Sequence, residues 1–234
     1  MQQAIATLVR DLGRVFGGRL ESLAVYSGHH DDGVLHSLAL VEGLSFRDLT
    51  ACLPLAESWH RLGLAVPLML SRDELRRTVD IFPLEYASIM ATHAVVFGRP
   101  PFDGMTIPAE DLRRACESQA KSHLIHLREA FLESHGEARS VAALIASSAA
   151  SLRAILTNIA RLPDTAAASP MAAMPSDEVL ARVAESRIGI AAGLVQDVLS
   201  AATTGQVSIA DPSALLARYI DAAQRVWEYV DRWR

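Results

Sequence analysis

Lysine is almost missing from this chain. It occurs once in 234 residues, as Lys121, although Lys and Arg together number 22. The formal charge is −5, and arginine is spread along the sequence instead of gathered in one stretch. Proteins that grip a nucleic-acid backbone present a basic face. The balance here argues against extensive nucleic-acid binding and leaves room only for a local arginine patch. Cysteine is equally scarce. Cys52 and Cys116 lie far apart and form no CxxC, which reads as two free thiols in a reducing, cytoplasmic compartment. No uninterrupted apolar run approaches the ~18 residues that cross a bilayer, so no membrane is expected. The first residues, Met-Gln-Gln-Ala-Ile-Ala, lack a basic segment followed by an apolar one and do not read as a secretory signal. No internal repeat is visible.

What the chain does have is apolar content, 50% of its residues, enough for a packed core. The spacing of Ile5, Leu8, Val9 and Leu12 predicts a helix from Gln2 to Phe16, ended by Gly17-Gly18. Leu23–Tyr26 and Val34–Val41 read as two strands joined by the loop Ser27-Gly28-His29-His30-Asp31-Asp32-Gly33. Ser45 with Asp48 three residues on marks a helix start. Leu49, Cys52, Leu53, Ala56 and Trp59 supply its apolar stripe, and Gly63 its end. Val66–Leu70 is a third strand, and Ser71–Glu74 opens a short helix through Val79. Phe82–Ile89 and Ala94–Phe97 are further strand candidates before the break at Gly98-Arg99-Pro100-Pro101.

Past residue 107 the pattern turns helical. Leu112, Cys116, Leu124, Leu127 and Phe131 mark a long amphipathic helix, and Val141–Ile159 a second, rich in Ala and Ser. Residues 163–175 read as a linker. Ser176 caps a third helix with Val179, Leu180 and Val183 inward, and Asp211-Pro212 starts the last. That helix carries the stripe Leu215, Leu216, Tyr219, Ala223, Val226, Trp227 and Val230. The expected organisation is an α+β part over 1–107 with a mixed sheet and flanking helices, then an all-α bundle over 108–234.

The order helix, strand, short loop, strand, helix, strand, together with Leu23-Ala24-Val25-Tyr26-Ser27-Gly28, resembles the opening of the nucleotidyltransferase superfamily. More closely, the chain resembles a bacterial group in which that domain is followed by helices. The likeness runs through Val66–Ser71, Arg72–Leu75, Asp80–Tyr86, His93, Phe97-Gly98, Pro101-Phe102, Leu112-Arg113, Cys116-Glu117 and Leu124–Arg128. It covers roughly residues 1 to 160. The resemblance implies transfer of a nucleotidyl group from a nucleoside triphosphate. In active members an Asp-x-Asp on the second strand and a carboxylate from a later strand hold Mg²⁺. A strand places residues i and i+2 on one face, and the metal clamps the attacking and leaving oxygens.

This chain departs from that pattern. The Gly-Ser turn is inverted, as Ser27-Gly28, and the second strand reads Leu35-His36-Ser37-Leu38-Ala39-Leu40. With His36 in the first metal position, Leu38 takes the second, and leucine binds no metal. The remaining carboxylate candidates are Asp31 and Asp32, before the strand, and Glu85 or Asp80 as the third. His29, His30, Asp31, Asp32 and His36 invite a transition-metal reading, with His29, His30, Asp32 and Glu85 as the metal candidates, set against a solvated loop whose Asp-Asp-Gly favours a turn. Ser27, Gly28, His36, Arg113, Lys121 and Arg128 are the candidates for contact with a nucleotide, in a pocket expected between the two parts. The competing reading of Arg113, Glu117 and Lys121, four apart, is an ion-pair ladder on a solvated face. His93 and Cys116 read as structural, and Trp227 and Trp233 as packing and terminal anchors.

Three functions follow. The leading one is a catalytically degenerate relative acting as a nucleotide- or partner-binding module. The second is an active transferase that uses displaced carboxylates with Mg²⁺ and a nucleoside triphosphate. The third is a homodimer joined through Leu216, Tyr219 and Trp227.

Overall fold

A computed structural model describes residues 1–27, 33–161, 175–204 and 211–232. The chain divides into two compact units, Met1–Pro108 and Ala109–Arg234.

In the first unit, helix α1 (Gln2–Phe16) leads into strand β1 (Leu20–Ser27), which pairs antiparallel with β2 (Leu35–Val41). Helix α2 (Phe46–Arg61) returns the chain to β3 (Leu68–Leu70), parallel to β2. Helices α3 (Arg72–Thr78) and α4 (Pro83–Thr92) follow, and β4 (Ala94–Gly98) closes against β1. The sheet order is β3-β2-β1-β4.

Strand alternation assigns each face its own core. Leu23, Ala39 and Val41 pack with Leu8, Leu12 and Phe16 of α1 and with Cys52 and Trp59 of α2. The indole of Trp59 donates to Asp11 at 3.2 Å, so α1 and α2 are joined by a buried polar contact as well as by apolar ones. Leu38 and Leu40 point the other way, into a cluster with Leu75, Val79, Tyr86, Ile89 and Phe102.

Both expected capping boxes form. Ser45 and Asp48 cap each other's backbone, as do Ser71 and Glu74. Asp48 also takes a fork of two bonds from Arg19, at 3.1 and 2.6 Å, which pins the start of α2 to the turn between α1 and β1. The α2 stripe is shifted from the sequence reading. Cys52 and Trp59 are buried, but Leu49 and Leu53 are exposed, and Asp48 takes the inward place through its ties to Arg19 and Ser45.

A larger correction concerns 82–89, read from sequence as a strand. It is the helix α4. Pro83 at its start has the φ a helix needs, and Glu85 sits in the first turn where the dipole favours an acid. Tyr86 and Ile89, three apart, supply the inward face. An apolar run of this length does not distinguish strand from helix.

The second unit is built from α5 (Ala109–Glu133), α6 (Ala138–Arg161), α7 (Asp177–Val183), α8 (Ala192–Thr204) and α9 (Pro212–Arg232). A π-helical turn, Ala184–Ile188, and left-handed Gly189 separate α7 from α8. Asp211 accepts from the Ala214 amide at 3.0 Å and so caps α9. In α7, Leu180 is buried while Val179 is exposed.

Helix α6 is long and apolar enough to cross a membrane by length and composition, with mean hydropathy 1.5 over 18 residues. Uninterrupted apolar runs miss it because Ser147, Ser148, Ser151 and Arg153 interrupt it. Within the unit it is a core helix, with Val141, Ile145, Ala149, Leu152 and Ile155 buried along one stripe. Leu216 and Tyr219, proposed from sequence as part of a dimer seam, are buried in this same core. Most of the linker read at 163–175 and the terminal Trp233 lie outside the described residues.

Candidate functional site

The site expected from the sequence lies at the end of the β1–β2 ladder. Tyr26 and His36 are cross-strand partners, with ring centroids 5.8 Å apart and planes tilted by 32°. Burial raises the Tyr26 hydroxyl above its ordinary pKa, with Tyr86 adding to the effect. Tyr86 bonds Thr78 at 2.8 Å between hydroxyls, tying α4 to α3 beside this face.

Two residues along β2 from His36 is Leu38, which is fully buried. It is surrounded by Leu40, Leu75, Val79, Tyr86 and Ile89. The intervening Ser37 and Ala39 are buried as well, and the Ser37 hydroxyl has no hydrogen-bond partner among the described residues. Neither face of β2 therefore offers a carboxylate pair.

Mg²⁺ needs several hard oxygen ligands and keeps part of its water shell. A strand that offers His36, Leu38 and a dry apolar cluster does not fit it. Among the described residues, no group of three His, Cys, Asp or Glu is placed to hold a metal ion. Gly28, His29, His30, Asp31 and Asp32 lie outside the described residues, and Ser27 ends β1. Glu85, expected on a strand beside the site, is exposed in the first turn of α4. Asp80 is exposed in the turn before that helix. His93 ends α4, with its Nδ1 3.0 Å from the Met90 carbonyl and its ring edge-on to Phe102.

The three basic candidates of the helical unit are engaged within that unit. Arg113 pairs with Glu117 at 2.9 Å, which makes the first rung of the expected ladder. Lys121 leaves the ladder, and its ammonium sits 3.4 Å from the centre of the Trp227 ring. Arg128 donates to Gln224 at 3.1 Å. Cys116 is buried, and burial pushes its thiol up to about 12.

Sequence reasoning passed over one polar centre of this unit. His123 Nε2 lies 2.8 Å from the Tyr219 hydroxyl, and both side chains are buried. Burial, with His126 nearby, lowers the His123 pKa to about 4 and keeps the ring neutral. The signal was present. His123 falls seven residues after Cys116, on the stripe that also carries Ala120, Leu124 and Leu127.

A four-stranded mixed sheet with helices on both faces, followed by a helical unit, defines a nucleotidyltransferase-like fold. No protein-family model and no curated protein matches the sequence. Among solved structures, the chain is similar to the spectinomycin adenyltransferase from Enterococcus faecialis, determined with ATP and spectinomycin. The TM-score is 0.54 over 99% of this chain and 100% of that one, at 11% identity. The likeness is one of fold.

Proposed function

We propose that this protein is a nucleotidyltransferase-like module that binds a nucleotide without transferring it. The observation that carries this reading is Leu38. With His36 taken as the first metal position, Leu38 falls at the second, and it is packed into an apolar cluster with Leu75, Val79 and Ile89. Phosphoryl transfer needs charge-stabilising groups at the reacting oxygens, and a dry leucine face supplies none. Nucleotide binding is supported by the fold's likeness to an adenyltransferase determined with ATP. Ser27, Gly28 and His36 are the residues assigned to contact it. The cytoplasmic placement expected from the free thiols belongs to the same reading.

The test is a thermal-shift screen of nucleoside triphosphates with and without Mg²⁺ and Mn²⁺. A ligand that binds only the native state raises the melting temperature by mass action. The expected result is a shift with a nucleotide that divalent metal does not enhance. A strictly metal-dependent shift, with label transfer lost in Glu85→Ala or Asp32→Ala, would replace this reading with an active transferase. No shift with any nucleotide would leave a protein-interaction role in its place.

A further inference from the structure

We propose that the groove between α5 and α6 is a binding site for a small uncharged molecule that joins an apolar ring to hydroxyl groups. It lies within the helical unit and does not depend on the reading of the sheet. The groove holds about 350 Å³, at the lower end of the ~300–1,000 Å³ typical of small-ligand sites.

His123, only 8% exposed, forms part of its wall. With the Tyr219 hydroxyl directed to the Ser148 carbonyl at 3.4 Å, its oxygen is left to accept from His123 Nε2–H at 2.8 Å, the tautomer assigned to this ring. That arrangement leaves Nδ1 as a lone-pair acceptor, with no hydrogen bond to it among the described residues. A ligand hydroxyl would donate to it. Gln119 accepts from Asn158 at 3.0 Å through its oxygen, which keeps its amide N–H groups as donors on the same wall. Ser122 and Ser151 add hydroxyls that make no hydrogen bond within the protein among the described residues.

Leu127, Leu144 and Ile155 supply the apolar surface for a ring. No Asp, Glu, Lys or Arg lines the groove. The remaining imidazole, His126, is exposed and turned to Glu129 at 3.1 Å. A charged occupant would lose hydration there without meeting a counter-charge.

The experiment titrates the full chain with phenol and follows the His123 imidazole by heteronuclear NMR. Benzoate and benzylammonium serve as charged probes of similar size. Phenol is expected to shift the His123 resonances saturably, with a dissociation constant on the order of 1 mM. The charged probes should bind about tenfold more weakly or worse. Ser151→Leu and Ser122→Leu place bulk in the groove from exposed positions, and either should abolish the phenol shift without lowering Tm. Non-saturating shifts, equal response to the charged probes, or survival of the phenol shift in both variants would overturn the proposal.

Discussion

Replacing Leu38 by aspartate separates a dry core from a metal cleft more sharply than any other substitution in this chain. On the proposed reading, the aspartate would supply on β2 the residue type that metal-dependent transfer requires. Leu38 is fully buried, in a cluster with Leu40, Leu75, Val79, Tyr86 and Ile89. Truncating such a leucine costs about 2–5 kcal/mol through lost burial and the cavity left behind. Aspartate adds a charge penalty. At about pH 7 the carboxyl either ionises with no partner or takes a proton, and protonating a group of ordinary pKa near 3.9 costs about 4 kcal/mol there. The sum approaches the whole stability of an ordinary domain, about 5–15 kcal/mol.

The sign follows from linkage. A carboxyl whose folded pKa is raised destabilises above its unfolded value, and the penalty is relieved as pH falls toward that value. Leu38→Asn is the isosteric control, because it loses the same packing and carries no charge. The assay is urea unfolding of both variants between about pH 7 and pH 4, with and without Mg²⁺. The expected gap between them is about 4 kcal/mol at the upper pH, closing to within about 1 kcal/mol at the lower, with no response to Mg²⁺. If Leu38→Asp were within about 1 kcal/mol of Leu38→Asn at neutral pH, or if Mg²⁺ stabilised the aspartate variant alone, the face would be a wet cleft and its description as a dry leucine face would be refuted.

Three further outcomes can be checked. Gly98 has φ near +74°, and a Cβ there would fall on the Glu21 carbonyl of β1. Gly98→Ala should cost about 2 kcal/mol or more, because backbone cannot step aside as a side chain can; denaturant midpoints measure it, and a loss under about 0.5 kcal/mol would contradict the close approach. His123 titrates at about 4 in the folded chain, below its usual 6.5. Stability should therefore be intact above about pH 6.5 and fall by roughly 3 kcal/mol as pH drops to about 4; the slope in that window should flatten in His123→Gln. The carboxyl of Asp48 is held well below the usual range by Arg19 first and Ser45 next. Its contribution is present above about pH 4 and lost on further acidification. The melting-temperature gap between the wild type and Asp48→Asn should be constant above that pH and shrink below it.

Local chemistry made much of the first unit legible. The helices at Gln2–Phe16, Phe46–Arg61 and Arg72–Thr78 announce themselves through helical spacing and two serine capping boxes. The order of β1, β2 and β3 follows from short apolar runs between turn residues. The missing carboxylates of β2 are likewise a fact of the sequence, because no folding can turn Leu38 into a ligand.

What a neighbouring element contributes cannot be read from spacing. Residues 82–89 are as apolar as a strand, and packing of Tyr86 and Ile89 with Leu38 and Leu40 joins Pro83 and Glu85 in favouring the helix. Asp48 turns inward in place of Leu49 because Arg19, 29 positions earlier, supplies its counter-charge. Lys121 abandons Glu117 for the face of Trp227, and His123 meets Tyr219 across 96 residues. Each of these partnerships joins side chains remote in sequence. The apolar pattern alone determined which segments form helices at the two ends of the chain, whereas desolvation in the assembled core decided which polar groups had to find one another.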